Sequence, residues 1–174
     1  MSPLPLPSWI LALLLLSPMG VGAAEQVFLE PGRFLRQAFD GDPPPPKVLW
    51  LTGERRKQVS RILGHPPPKL RVRYWLRGQR SAWILEEIGK ERPITVGIVI
   101  EDDRVVEVRV LVYRESRGHE VRHPFFTRQF EGARLKQGDK LDRRIDGISG
   151  ATLSVRALKR LVRLALWLHR EVSR

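Results

Sequence analysis

Between residues 70 and 113 four consecutive segments are rich in apolar side chains, and in the first of them Leu70, Val72, Tyr74 and Leu76 alternate with a mainly basic face. A repeat of two residues is typical of β-strands that bury one face. The strands are predicted at 70–76, 81–88, 94–100 and 105–113. Short polar turns, Gly78-Gln79 and Asp102-Asp103, separate the strands of the two hairpins. Strands joined this closely pair in the antiparallel sense, so the pattern predicts a sheet of hairpins.

Side-chain placement within these strands follows from the same alternation. In the last strand one face is predicted to carry four valines, Val106, Val108, Val110 and Val112. In the first hairpin, Trp75 and Trp83 can meet across the two strands and pack there.

Two other segments have the period of amphipathic helices. The first covers residues 53–63 and is followed by Gly64 and Pro66, which are typical helix-end signals. The second runs from about residue 153 to 172. Its predicted apolar stripe consists of Val155, Leu158, Leu161, Val162, Ala165, Leu166 and Leu168. Hairpins segregated from helices predict an α+β fold in which an antiparallel sheet packs against the long C-terminal helix.

The composition limits the chemistry that the chain can support. The 174 residues include no Cys, which excludes disulfides, cysteine-ligated iron–sulfur clusters and thioether-linked haem. The formal net charge is +12, and such a surplus attracts anionic partners. A solvated surface rich in Arg accounts for the same charge, and we favour that interpretation because charge alone identifies no site.

The N-terminus has the features of an export signal. Residues 9–16 form an apolar core, and Gly22-Ala23-Ala24 supplies the small residues that a signal peptidase recognises. No Lys or Arg precedes the apolar core, so retention of the segment as an anchor stays open. We predict a signal peptide at 1–24, an N-terminal region with a helix and a hairpin at 25–88, and a second domain at 89–174. The protein is expected in the periplasm or on the outer face of the inner membrane.

The segment before the C-terminal helix is the strongest candidate for a functional site. It reads Asp146-Gly147-Ile148-Ser149-Gly150-Ala151-Thr152 and is followed by Leu153 and Ser154. Backbone N–H groups at a helix N-terminus, together with the helix dipole, favour a bound phosphate. Hydroxyl and carboxylate residues before a helix are more often simple N-caps, and Gly is more often a turn residue. The complete ordered set is much less expected by chance than any of its members.

The ordered set resembles the flavinylation motif of the FMN-binding domain family, which occurs in subunits of the Na⁺-translocating NADH:quinone reductase and of the Rnf complex. This resemblance implies a domain of that family at 89–174. It also implies that Thr152 carries FMN through a phosphoester, that Asp146 starts the recognition motif, and that Ser149, Gly150 and Ala151 shape it. The implied maturation partner is an exported flavin transferase, dependent on FAD and Mg²⁺, which releases AMP.

The resemblance extends to a loop upstream of the motif. In the respiratory subunits a loop that contacts the flavin reads Glu-Thr-Pro-Gly, and here the stretch is Glu115-Ser116-Arg117-Gly118. The resemblance implies cofactor contacts from Glu115, Ser116 and Gly118, with Arg117 in the place of Pro. A solvated turn in which Glu115 pairs with neighbouring arginines is the alternative.

Two functions are consistent with these patterns. The first is an exported electron carrier with covalent FMN, which serves a membrane-bound electron donor or acceptor and is not an enzyme with its own substrate. The second is a non-redox exported basic module that binds an anionic partner or a membrane surface.

Two other kinds of ligand are not expected. His119 and His123 are four residues apart, but only Glu120 stands beside them, so we predict no metal site. A basic strand face around Tyr74 and Trp75 is a feature of some nucleic-acid-binding proteins. The export signal and the lack of a nucleic-acid-binding motif argue against nucleic acid as a partner.

Overall fold

The computed structural model describes residues 25–173, so the predicted signal peptide lies outside the described residues. The strands are β1 (Gln26–Val27), β2 (Lys47–Trp50), β3 (Arg71–Arg77), β4 (Arg80–Ile88), β5 (Pro93–Glu101) and β6 (Arg104–Tyr113). The helices are α1 (Pro31–Ala38), α2 (Gly53–Leu63), α3 (Pro124–Thr127) and α4 (Thr152–Val172). Three short 3₁₀ turns cover His119–Arg122, Arg128–Phe130 and Gln137–Asp139.

The strands form one six-stranded sheet with the order β1-β6-β5-β4-β3-β2, and every neighbouring pair is antiparallel. The two predicted hairpins turn at Gly78-Gln79 and Asp102-Asp103. Asp102 and Asp103 both have positive φ, of 50° and 60°, as a tight two-residue hairpin turn requires. The predicted α+β class and the sheet of hairpins are therefore confirmed.

Strands β1 and β2 were not predicted from the sequence. β1 has two residues and β2 has four, and they form the two edges of the sheet. Most of their side chains are exposed, so neither has enough alternation to give a strand signal.

Helix α4 packs across one face of the sheet and buries the stripe predicted for it. All seven stripe residues are buried, and the helix contacts β4, β5 and α2. Full burial of a Val or Leu side chain contributes about 1.5–3 kcal/mol, so this stripe is a large part of the main core. No helix of residues 25–173 is long and apolar enough to cross a membrane.

Helix α1 covers part of the opposite face and forms a second, smaller core there. The aromatic ring of Phe34 lies over Gly97 of β5. A Cβ built at Gly97 would stand 2.7 Å from that ring, so only glycine allows the helix to approach this closely.

The prediction that Val106, Val108, Val110 and Val112 share one face is wrong. The register between β5 and β6 shifts between Thr95 and Val96 and again between Val99 and Ile100. Each shift places an extra residue in β6, and a β-bulge of this kind turns the following side chains to the other face. Val108 and Val110 consequently lie in the main core, Val112 lies in the second core, and Val106 is exposed.

The boundary predicted at residue 88 falls between β4 and β5. These two strands pair over nine residue pairs, from Arg80↔Glu101 to Ile88↔Pro93. The sheet therefore runs without interruption from the N-terminal region into the residues that follow it.

Candidate functional site

The start of α4 is shaped by a tight turn that leaves backbone donors free. The Ala151 N–H donates to the Ile148 carbonyl at 3.1 Å, which closes a four-residue turn. Gly150 occupies its third position with φ of +81°, a conformation that favours glycine. A Cβ at Gly150 would meet no atom within 4 Å, so the backbone conformation rather than lack of space requires glycine here.

The N-terminus of α4 has no side-chain cap. Its first helical hydrogen bond joins the Val155 N–H to the Ala151 carbonyl at 2.9 Å. The N–H groups of Thr152, Leu153 and Ser154 precede that bond and have no acceptor within the helix. Donors of this kind suit an anion, and the exposed side chain of Thr152 stands directly beside them.

A cleft of about 480 Å³ opens between this helix start and the loop that follows β6. The loop and the neighbouring β4–β5 turn contribute Lys90, Glu115, Ser116 and Arg117. The helix and its preceding turn contribute Gly150, Ala151, Thr152, Leu153 and Ser154. Residues far apart in sequence are thus brought to one concave site, as is typical of cofactor pockets.

The carboxylate of Glu115 is used by the protein backbone. Its Oε1 accepts hydrogen bonds from the N–H groups of Lys90, Glu91 and Arg92 at 2.5, 2.7 and 2.9 Å. Burial alone would raise the pKa of Glu115, but the three N–H donors outweigh it and hold that pKa below its ordinary value. The ionised Glu115 carboxylate therefore holds the β4–β5 turn against the loop that follows β6.

A buried pair of hydroxyls attaches the loop to the helix. The Tyr113 hydroxyl donates to the Arg117 carbonyl at 2.5 Å and lies 2.9 Å from Ser154 Oγ. Because the Tyr113 hydroxyl donates its proton to the Arg117 carbonyl, Ser154 is the donor in the hydrogen bond between the two hydroxyls. Burial raises the pKa of Tyr113, although the Ser154 hydrogen bond acts in the opposite direction.

Gly118 lies beneath the cleft, in contact with this pair. A Cβ at Gly118 would stand 2.8 Å from Ser154 Oγ and 2.9 Å from the Tyr113 hydroxyl. Its φ of +86° also favours glycine. Gly118 therefore lets the loop close onto the first turn of α4.

The electrostatics of the cleft favour an anion. Lys90 and Arg117 supply two cationic side chains, and the α4 N-terminus adds the positive end of the helix dipole. The one carboxylate of the lining, Glu115, is compensated by its three backbone donors. Lys90 also pairs with Glu91 at 3.3 Å, but both side chains are exposed and such a pair is weak.

Five of the eight residues predicted for the site line the cleft: Glu115, Ser116, Gly150, Ala151 and Thr152. Gly118 is buried under it, and a Cβ added there would lie 2.8 Å from Ser154 Oγ and 3.6 Å from Ala151 Cα. Ser149 and Asp146 are exposed and do not line it. Asp146 instead pairs with Arg144 at 3.5 Å, and its N–H donates to the Gln129 side chain.

Sequence reasoning missed the contribution of Lys90 and the pairing of Tyr113 with Ser154. Lys90 reaches the cleft because Glu115 binds its turn, a contact across 25 residues that no local pattern reveals. Ser154 follows Thr152 by two residues in the motif, and this position was the available signal for a residue on the same first turn.

No group of three or more His, Cys, Asp or Glu side chains within residues 25–173 could hold a metal ion. His119 lies in the first 3₁₀ turn, and the His123 ring stacks on Phe125 with centroids 6.1 Å apart.

Comparison with known protein families gave one match, which decides the family. The family model of the FMN-binding domain matches residues 89–167. This part of the chain is an FMN-binding domain. Every residue that lines the cleft lies within the match.

The match supports the binding of FMN by residues 89–167, as in a flavoprotein. Searches of curated proteins and of solved structures found no match. The residues of the cleft fit the phosphate of FMN, because uncapped N–H donors and cationic side chains meet beside an exposed hydroxyl.

Proposed function

We propose that this protein is an exported electron-transfer flavoprotein that carries FMN as a phosphoester on Thr152. The observation that carries the proposal is the exposed Thr152 side chain at the first residue of an uncapped helix, inside the FMN-binding domain. A phosphate at this position would accept hydrogen bonds from free N–H groups and lie near Lys90 and Arg117.

Other hydroxyls of the domain are less suitable as attachment points. Ser154 is buried and donates to Tyr113. Thr95 is buried, donates to Glu86 and accepts from Arg114. Thr127 is also buried. Ser116 and Ser149 are exposed, but neither lies at the start of a helix.

The attachment step conserves atoms and charge. Thr152 Oγ forms a bond to the phosphorus on the FMN side of FAD, and the bond from that phosphorus to the bridging oxygen breaks. AMP leaves with the bridging oxygen, and the hydroxyl proton passes to a base. Among residues 25–173, the cleft lining offers no carboxylate or imidazole that is free to take the proton, so the proposed transferase supplies the base and Mg²⁺.

The protein's contribution to electron transfer is to hold and shield the flavin. FMN supplies the redox chemistry when it is bound. Lys90 and Arg117 favour negative charge in the cleft. Glu115 holds the β4–β5 turn against the loop after β6, and Tyr113 joins that loop to α4 through Ser154. We infer that the partner is a membrane-bound electron donor or acceptor and that the protein has no substrate of its own.

Flavin fluorescence in a denaturing gel tests the attachment. The exported form is produced together with a flavin transferase, and its band should fluoresce after unfolding. Thr152→Ala should remove the fluorescence, whereas Thr152→Ser should retain it. Ser116→Ala and Ser149→Ala are matched controls that remove a nearby exposed hydroxyl and should leave the fluorescence unchanged.

If the protein with Thr152 intact carried no flavin, and its binding to a partner weakened as the salt concentration rose, the second function, a basic binding module, would be favoured. The net charge of +12 is the observation that supports this second function. Fluorescence that survives Thr152→Ala and disappears in Ser116→Ala would move the attachment to Ser116 and contradict the proposed site.

A further inference from the structure

A second cavity lies between α2, the proline-rich loop before β3, and strands β3 and β4. Its volume is about 310 Å³, and nine of its twelve lining residues are apolar. The charged ones are Lys69, Arg71 and Glu86. It shares no residue with the FMN cleft. Pockets of this size with an apolar wall and a few polar groups are typical of small-molecule sites.

The proline-rich wall of the cavity is fixed at both ends. His65 Nε2 lies 2.9 Å from a Glu87 oxygen, and His65 Nδ1 lies 2.9 Å from the Pro66 carbonyl. Because both neighbours accept hydrogen bonds, the Pro66 carbonyl and then Glu87 raise the pKa of His65. At the other end, the Leu51 N–H donates to the Leu70 carbonyl at 2.8 Å.

The residues between these two anchors cannot easily fold into the cavity. Pro67 is buried and forms part of the lining, and a proline ring holds φ near one value. This proline-rich wall of the cavity is therefore stiff.

The charges at the cavity favour an anionic head group. Lys69 reaches Glu86 at 3.7 Å, and the Thr95 hydroxyl donates to the same carboxylate at 3.0 Å. Two cations against one compensated carboxylate leave the rim with net positive charge.

We propose that this cavity binds a free anionic amphiphile with a single alkyl chain, such as a medium-chain fatty-acid carboxylate. The chain would lie against Pro68, Val72 and Ile84, the apolar lining residues that keep accessible surface, and the carboxylate would lie near Arg71 and Lys69. The volume commits the site to one chain rather than the two of a phospholipid. The proposal does not depend on FMN at Thr152, because no residue is common to the two sites.

Calorimetric titration with free fatty acids below their micelle concentration tests the proposal. The purified full chain carries Thr152→Ala, so that its flavin content does not vary between preparations. From hexanoate to decanoate the affinity should rise about fourfold for each added methylene, and it should level off once the chain exceeds the cavity. Decyltrimethylammonium, with the opposite charge and the same chain length, should bind more weakly than decanoate.

Two charge-reversal variants separate the cavity from general attraction to a basic protein. Arg71→Glu should weaken decanoate binding roughly fivefold, since it replaces an attraction by a repulsion at the rim. Arg73→Glu makes the same change two residues along β3, outside the lining, and should change the affinity by less than about twofold. Both side chains are exposed, so both variants should fold.

Three results would overturn the proposal. The first is the absence of binding heat with decanoate at millimolar concentration. The second is an equal loss of affinity in Arg71→Glu and Arg73→Glu. The third is binding to vesicles of anionic phospholipid without binding to free decanoate, which would indicate a membrane-facing surface instead of a single-chain site.

Discussion

Glycines around the cleft at the start of α4 differ in why they are required. Gly118 has positive φ and no room for a side chain. Gly150 has positive φ but open space around it. Gly147 has open space and no positive φ. A comparison of the three positions therefore distinguishes the effect of backbone strain from the effect of a steric clash.

Substitution of each glycine by Ala should therefore give three different costs. Gly118→Ala should lower the free energy of unfolding most, by about 2–4 kcal/mol, because strain and a clash with Tyr113 and Ser154 add together. Gly150→Ala should cost about 1–2 kcal/mol from strain alone, and Gly147→Ala should cost less than about 0.5 kcal/mol. Urea unfolding measures all three, and equal costs for Gly118 and Gly150 would show that the clash has no effect.

Glu115 makes the stability of the cleft depend on acid pH. Its pKa is lowered in the folded state, so its contribution is present above its unfolded pKa of about 4.5. That contribution is lost as pH falls through the folded pKa, because protonation weakens the bonds from Lys90, Glu91 and Arg92.

Glu115→Gln should remove this acid-dependent part of the stability. The variant should be less stable than the wild type at pH 7, since a neutral amide accepts hydrogen bonds less strongly than a carboxylate. The difference should shrink as pH falls below about 4.5. Urea midpoints between pH 3 and 7 measure it, and a constant difference over that range would contradict this role of Glu115.

Helix α4 runs from the cleft at its N-terminus to a buried hydrogen-bond network near its C-terminal end. Trp83 Nε1–H donates to Ser81 Oγ at 2.8 Å, and Ser81 Oγ lies 2.7 Å from His169 Nδ1. Since Trp83 can only donate, the Ser81 hydroxyl is free to donate to His169 Nδ1, which places the proton of the neutral ring on Nε2. His169 Nε2 is buried and has no hydrogen-bond partner among residues 25–173.

His169 should make the free energy of unfolding depend on pH near neutrality. Burial lowers the pKa of His169, so the unfolded chain takes up a proton more readily than the folded one. Stability should therefore fall as pH drops below about 6.5, the ordinary pKa of His. His169→Gln can still accept from Ser81 and does not titrate, so it should reduce that slope.

The measurement is the free energy of unfolding from pH 5 to 7.5 in both proteins. His65 has a raised pKa, so its contribution is complete below its ordinary pKa and is lost as pH rises through the folded value. This opposite dependence is present in the wild type and in the variant, so it cancels in their difference. Identical slopes would rule out His169 as the titrating group.

At the scale of the whole molecule, the residues outside the family match complete the core of the FMN-binding domain. Strand β4 pairs with β5 along nine residue pairs. Trp83 and Leu85 of β4, and Val59 and Ile62 of α2, belong to the same main core as α4. The N-terminal region therefore contributes directly to the packing that positions Thr152.

A fragment of residues 89–174 should consequently fail to fold by itself. It would expose the long edge of β5 and lose the aromatic core around Trp83, which is fully buried in the intact chain. Denaturant unfolding followed by circular dichroism should show no cooperative transition for the fragment and one for residues 25–174. A cooperative fragment that accepts FMN would show that residues 89–174 form an independent domain.

Much of this fold was open to prediction because its signals are local. A period of two in β3 and β6, and apolar runs bounded by turn residues in β4 and β5, predicted these four strands. The period of 3.6 predicted α2 and α4 with the buried stripe of α4. The cleft residues of the 146–152 motif were also predictable from local signals, because consecutive residues specify a turn and the start of a helix.

The remaining features depend on register and long-range contacts. Tyr74, not Trp75, faces Trp83, because the pairing in the first hairpin sets Tyr74↔Trp83 and the rings stack at 5.2 Å. The bulges in β6 likewise send Val112 to the second core. Neither choice is encoded in composition or period, since a shift of one residue reverses the face of every later side chain.

The sequence by itself determined strands β3 to β6, helices α2 and α4, the family motif and the position of the candidate acceptor hydroxyl. Only the tertiary structure decided that Glu115 binds the β4–β5 turn and that Tyr113 and Ser154 join the two walls of the cleft. Those contacts link residues 25 and 41 positions apart. Local preferences act over a few residues, whereas these pairings exist only after the sheet and α4 have packed together.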